Sequence, residues 1–264
     1  MLVSASWVPL IIKWHFLLKN SRINVPLTKS IAIFFSGSAF EITPGQIGIL
    51  IKSQLLKTSS NISRTKTVPI VIVEKIYDLI GAILASVIGI IILGMEFYLI
   101  IIAISVLATI FFFMYHRRSS ELVFNRITKL KFFSKYIDNM SEFYEVVKKS
   151  TNVKAATICI LLALTYWFII SAAAYYTLIA FDVNLLDYLK VLAIYATSTL
   201  LGAISFIPGG IGITEGSIAG LFTLNGVDIS TALILGVMIR VLTLWYSVGV
   251  GFISLKFTGG LSLK

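Results

Sequence analysis

The chain has 264 residues, of which 58% are hydrophobic and only 13% charged, and its mean hydropathy is +0.95. A soluble domain carries about twice that charged fraction, so a fold built to stand in water is excluded. The net charge of +10 would suggest nucleic acid in a soluble protein, but here the basic residues follow a topological pattern and no nucleic-acid partner is expected.

In chain order, the apolar stretch Leu2 to Leu18 comes first, interrupted by Pro9 and Lys13. A signal peptide places its charge before the apolar run and small residues after it. Neither feature is present, so this stretch is read as a short first membrane helix. Two arms follow, Leu27 to Phe40 and Ile49 to Leu56, each shorter than the roughly 20 residues a span needs. Between them lies Glu41-Ile-Thr-Pro-Gly-Gln-Ile-Gly48. Thr67 to Leu93 is a full span carrying Glu74, Lys75 and Asp78, and the uncharged run Phe97 to Tyr115 returns. Within the polar segment 116–154, Val123, Ile127, Leu130, Ile137, Met140, Tyr144 and Val147 recur at helical spacing with lysines between them. That pattern fits a helix lying on an anionic membrane surface; the plainer alternative is a cytoplasmic loop that sets topology. Ala155 to Phe181 and Leu185 to Phe206 are two further apolar segments. Pro208-Gly-Gly-Ile-Gly-Ile-Thr-Glu-Gly216 follows them, and Ile229 to Phe257 closes the chain with Arg240 inside it. The single cysteine, Cys159, lies in an apolar span and rules out an intrachain disulfide. It is read as a packing residue. His15 and His116 are too far apart to suggest a shared metal site.

The two glycine elements carry the most information. Pro44-Gly-Gln-Ile-Gly-Ile49 and Pro208-Gly-Gly-Ile-Gly-Ile213 agree at five of six positions, at an offset of 164 residues. Lys75 follows Pro44 by 31 residues and Arg240 follows Pro208 by 32, so a break, a short helix and an intramembrane cation recur in both halves. Proline followed by glycine ends a helix, and freed backbone groups are tolerated in lipid only against protein or a water-filled cavity. Each break also starts a half-helix whose amides suit an anion, and two such starts near the midplane suit a transporter site. The alternative is a pair of packing kinks. Neither element has the glycine spacing of a dinucleotide fingerprint or the lysine of a P-loop.

Charge asymmetry predicts orientation. With each Pro-Gly element at the tip of a re-entrant hairpin, Lys19, Arg22, Lys29, Lys57, Arg64, Lys66 and Lys256 fall on one face. The nine Lys and Arg of Arg117 to Lys154 join them there. That face is read as cytoplasmic, together with the C-terminus, and the Gly94–Glu96 turn, the Asp182–Asp187 loop with Lys190, and Asp228 face outward. The two halves are then inverted.

Charges at membrane depth cost about 2.5–3.5 kcal/mol each on insertion scales, so they pair or face a cavity. Lys75 and Asp78, three residues apart, share a helix face, as do Glu74 and Asp78 at four; a neutralised pair near the interface is the alternative reading. Glu41, Glu215 and Arg240 complete the buried-charge candidates, and Glu215 is a partner for Arg240, Lys75 or a headgroup amine.

Trp14 with Leu17 and Leu18, Pro44-Gly-x-x-Gly48, Glu74-Lys75-x-x-Asp78, Pro208-Gly-Gly-x-Gly-x-x-Glu215 and Arg240 together resemble the lysylphosphatidylglycerol synthase transmembrane-region family. The resemblance spans nearly the whole chain, and the second glycine motif is its most specific mark. It departs from the family pattern at Gln46 and Ile49, where charged residues are usual. It implies a flippase-like membrane protein without the soluble synthase domain of the two-domain relatives.

The expectation is therefore an all-α, polytopic, multi-pass membrane helix bundle in the cell membrane, a single domain over residues 1–264. It would hold two inverted repeats, about 27–115 and about 155–257, each with a Pro-Gly re-entrant hairpin, around the segment 116–154. Function is expected to be translocation of a lipid or lipid-linked headgroup between leaflets, not enzymatic and without cofactor or metal. Its ligands would be membrane lipids, anionic or phosphate-bearing. The expected headgroup-binding set is Pro44, Gly45, Gly48, Glu74, Lys75, Asp78, Pro208, Gly209, Gly210, Gly212, Glu215 and Arg240, with Glu41 as an addition. The alternative is a non-transporting accessory subunit of an envelope glycosyltransferase or lipid synthase, and a membrane-embedded enzyme is the weakest class.

Overall fold

A computed structural model describes residues 1–92, 105, 106, 108, 109 and 140–258. Apart from those four isolated positions, the expected span Phe97–Tyr115 lies outside the described residues, as does the expected surface segment up to position 139. Among the described residues, every regular element is helical.

Helix α1 covers Leu2–Asn20 and runs unbroken through Pro9. Helix α2 (Leu27–Ser38) and α3 (Ile51–Ser60) are separated by a 3-10 segment, Pro44–Leu50. The proline sits at the start of that segment, where its missing N–H costs nothing. Asn61 then closes α3 in a left-handed conformation. Helix α4 (Arg64–Ile92) is 29 residues long and carries the charged cluster. The described end of the segment 116–154 forms α5 (Met140–Ser150). Its Phe143, Val146 and Val147 are buried against the bundle, so one face of this portion docks on protein. The Tyr77 hydroxyl, donating to the Ser150 carbonyl at 2.9 Å, and Asn20 Nδ2, donating to Lys149 O at 2.6 Å, tie its end to α4 and α1.

Helix α6 (Val153–Ala180) starts on Asn152, whose side chain accepts from the Ala155 amide. Helix α7 (Tyr188–Ile204) starts on Asp187 in the same way. A 3-10 turn at Pro208–Gly210 separates α7 from α8 (Ile213–Leu224). Helix α9 (Ile229–Arg240) passes through a π-helical turn, Val241–Trp245, directly into α10 (Tyr246–Phe257). Helix α6 and the continuous run Ile229–Phe257 are each long and apolar enough to cross a membrane. Large apolar side chains point outward along the second half, among them Ile204, Leu224, Ile253 and Phe257. In water such a surface would be an association hazard; in hydrocarbon it is the solvated face.

Because lipid tails are as apolar as leucine, packing here depends on close van der Waals contact and small residues. A Cβ on Gly81 of α4 would stand 2.8 Å from the Ala163 Cβ of α6. One on Gly251 of α10 would overlap the Ala39 backbone at the end of α2. Helix α4 packs on α6 and α7, and α10 packs on α2, so elements of the two halves are interleaved. The two 3-10 segments meet each other between them.

Candidate functional site

Where the two 3-10 segments meet there is a cavity of about 330 Å³. Its wall takes Glu41 and Thr43 from the turn before Pro44, and Lys75, Asp78 and Leu79 from α4. The second half supplies Gly209, Gly210, Thr214 and Arg240, and the aromatic residues Trp7, Phe34, Tyr166, Trp167 and Tyr195 form much of the remaining lining. Phe206 also lies on the wall and is 71% exposed, so the cavity reaches the outer surface beside an apolar ring. Phe206 holds φ at +54°, a strained value for a bulky residue, of the kind that persists where surrounding structure enforces it.

The buried charges are wired in pairs. Lys13, fully buried in α1, donates to Asp78. Lys52 of α3 reaches Glu74 Oε2 at 2.5 Å, both side chains almost wholly buried, with its ammonium 4.5 Å from the Trp14 ring centre. The stem of Lys52 fits because residue 37 is glycine: a Cβ there would stand 2.8 Å from Lys52 Cγ. Arg240 directs Nε to Glu215 Oε1 at 3.0 Å and donates from its terminal nitrogen to the Gly209 carbonyl. Lys75 is held more loosely, 3.6 Å from Asp78 Oδ2 and 3.9 Å from Glu41 Oε1.

These contacts sort the sequence-derived candidates. Glu41, Lys75, Asp78, Gly209, Gly210 and Arg240 come together on one cavity wall. Glu74 instead faces Lys52, beside a second, much smaller void that Glu41, Lys75 and Asp78 also line. Glu215 stands behind Arg240, one of the three partners its position had left open. Pro44, Gly48 and Pro208 are absent from the lining of the large cavity and act through the chain path. Gly48 donates its amide to Thr43 Oγ1 at 2.8 Å, and a Cβ on it would lie 2.7 Å from Phe40 Cβ. Gly45 lies within the first 3-10 segment.

The expected anion cradle takes a different form. The Gly212 amide donates to Glu215 Oε2 at 2.7 Å, so the start of α8 is capped by its own carboxylate. The Gly210 amide is already given to the Ile207 carbonyl at 2.8 Å. Two of the three glycines in the expected headgroup set of this element, Gly210 and Gly212, therefore have their amides engaged inside it, and the most loosely held cation on the cavity wall is Lys75. Lys13 and Lys52 were not in the sequence-derived set. The signal was present, since each is a lysine inside an apolar stretch, and such a lysine requires a partner.

The sequence matches the lysylphosphatidylglycerol synthase TM region over residues 1–251. The chain belongs to that family. Among the relatives of this transmembrane-region protein is a UPF0104 membrane protein of Pyrococcus horikoshii, 26% identical over 263 residues, covering 89% of this chain and 78% of the relative. Another is a UPF0104 membrane protein of Methanocaldococcus jannaschii, 25% identical over 211 residues, covering 76% of this chain and 86% of the relative. No solved structure matches. A transmembrane-region family accounts for the long apolar helices and their outward apolar faces without any need for a water-facing core.

Proposed function

We propose that this protein translocates a lipid or lipid-linked headgroup between the leaflets, as a non-enzymatic, multi-pass protein of the cell membrane, with the cavity between the two Pro-Gly elements as the headgroup site. The observation that carries the proposal is one cavity walled by charged residues of both halves, Lys75 beside Asp78 on one side and Arg240 on the other. A charged cavity inside apolar helices is costly unless it has a task. The opening beside Phe206 supports entry from the side, with acyl chains remaining in lipid while the headgroup meets the polar wall.

In this reading the α2, 3-10, α3 unit and the α7, 3-10, α8 unit are the two re-entrant hairpins of an inverted pair. Their arms of 12, 10, 17 and 12 residues support it, three being too short to span and the fourth at the lower limit of a span. The C-terminus and the basic segment 116–154 then face the cytoplasm.

The test is a leaflet-resolved assay on purified protein in vesicles, with acyl-labelled lipids and an impermeant quencher. Lys75→Met keeps the apolar stem and removes the charge, and it should slow translocation at least about tenfold at unchanged protein level. Wild-type protein that moves no lipid faster than protein-free vesicles would refute the proposal.

A further inference from the structure

We infer that the headgroup this cavity accepts is zwitterionic: a phosphate ester that also carries an ammonium group, with no net charge. The inference rests on the translocation reading and names its substrate class.

Four cations, Lys13, Lys52, Lys75 and Arg240, stand against four carboxylates, Glu41, Glu74, Asp78 and Glu215, in and behind the cavity wall. Among the described residues this cluster is formally neutral. Three of its cations are committed. Lys13 donates to Asp78, Lys52 to Glu74, and Arg240 to Glu215 and the Gly209 carbonyl.

The fourth couple differs. Lys75 and Glu41 face each other across 3.9 Å, beyond hydrogen-bond reach, with 28% and 25% of their side chains exposed. Lys75 is also beyond that reach of Asp78, at 3.6 Å. An ammonium has three protons to give and a carboxylate about four lone-pair positions to fill. Among the described residues this couple is therefore balanced in charge while most of its hydrogen-bonding capacity remains unused, and both groups line the cavity.

Charge conservation then selects the ligand. A headgroup bearing only a phosphate would draw Lys75 to itself and leave Glu41 as an uncompensated carboxylate at membrane depth, a penalised state. A headgroup bearing only an ammonium would strand Lys75 in the same way. A ligand carrying both replaces one loose ion pair by two closer ones, phosphate on Lys75 and ammonium on Glu41, with the sum of charges unchanged. The Thr43 hydroxyl on the same wall is given to the Phe40 carbonyl at 2.7 Å and accepts from the Gly48 amide, so the phosphate falls to Lys75.

The test uses the full chain in vesicles doped with acyl-labelled phosphatidylethanolamine or phosphatidylglycerol, which share a phosphate and differ in the amine. Wild-type protein should move the zwitterionic lipid about tenfold faster or more. Glu41→Gln leaves the cluster one charge positive and should lower or invert that ratio. Binding of the two lipids to detergent-solubilised wild-type protein gives a measurement that does not depend on the variant folding, and should show the same order. Equal or faster movement of phosphatidylglycerol by wild type, or an unchanged ratio in Glu41→Gln, overturns the inference and leaves translocation standing. No lipid movement at all brings down both. Soluble phosphoethanolamine that displaces bound lipid supports headgroup recognition; its binding in a protein that never binds the lipid would assign the site to a free phosphate ester and overturn the inference.

Discussion

Adding one methyl group at successive glycines of the second element separates backbone strain from steric contact. Gly216 lies in α8 with nothing within 4 Å of an added Cβ. Alanine there should stabilise by about 0.5–1 kcal/mol, because it reduces the freedom of the unfolded chain. Gly212 also has open space around it, but its φ is +85°, so alanine should cost about 1–3 kcal/mol in conformational strain alone. Gly210 combines φ of +65° with a Cβ that would stand 2.7 Å from Thr214 Oγ1 and 3.0 Å from Gly202 Cα. The hydroxyl can rotate away, but the backbone of α7 cannot, and overpacking adds about 1–3 kcal/mol. The total for Gly210→Ala is about 2–6 kcal/mol. At about 2–4 °C per kcal/mol for a chain of this size, that is a fall in Tm of roughly 5–20 °C. Thermal unfolding of the three purified variants in one detergent reads the series directly. The expected order is Gly216→Ala above wild type, Gly212→Ala below it and Gly210→Ala lowest, with only partial recovery when Thr214→Ala is added to the last. Equal Tm values for Gly210→Ala and Gly212→Ala would refute the close approach of the 3-10 turn to Gly202.

Breaking either committed ion pair should cost about 3–5 kcal/mol because it strands a buried charge. Glu215→Gln and Arg240→Met, or Glu74→Gln and Lys52→Met, should each lower Tm singly, while removal of both partners restores much of the loss. A double variant no better than the worse single would show that the pair is not the source of the effect. For topology, cysteines introduced at Asn184 and Asn225 in a Cys159-free background should label from the same side. A Cβ on Gly226 would already lie 4.0 Å from Leu185 Cδ1, which sets the two loops side by side, and labelling from opposite sides would rule out the hairpin arrangement.

Much of the architecture was legible in the chain, and for a reason specific to its solvent. In hydrocarbon every backbone group must be paired within its own segment, so apolar length alone identifies helices. Val153–Ala180 and Ile229–Phe257 lie within two residues of the runs read from sequence. Pro44 and Pro208 likewise announce their breaks because each is followed by glycine, whereas Pro9 and Pro69, without one, lie inside α1 and α4. The pairing of charges was not legible. Lys75 and Asp78, three residues apart, meet because one helix fixes their spacing. Lys13 meets Asp78 across 65 positions and Lys52 meets Glu74 across 22, choices made by how α1 and α3 cross α4. Sequence periodicity describes a face and says nothing of its neighbour. The two glycine elements show the same division. Their matched spelling was visible along the chain, while their meeting at one cavity, and the capture of the Gly212 amide by Glu215, depend on contacts between segments and on a local bond that competes with any ligand. Composition and order of apolar runs determine what crosses; only tertiary packing decides which buried charges are spent on one another and which, like Lys75 and Glu41, are left facing the cavity.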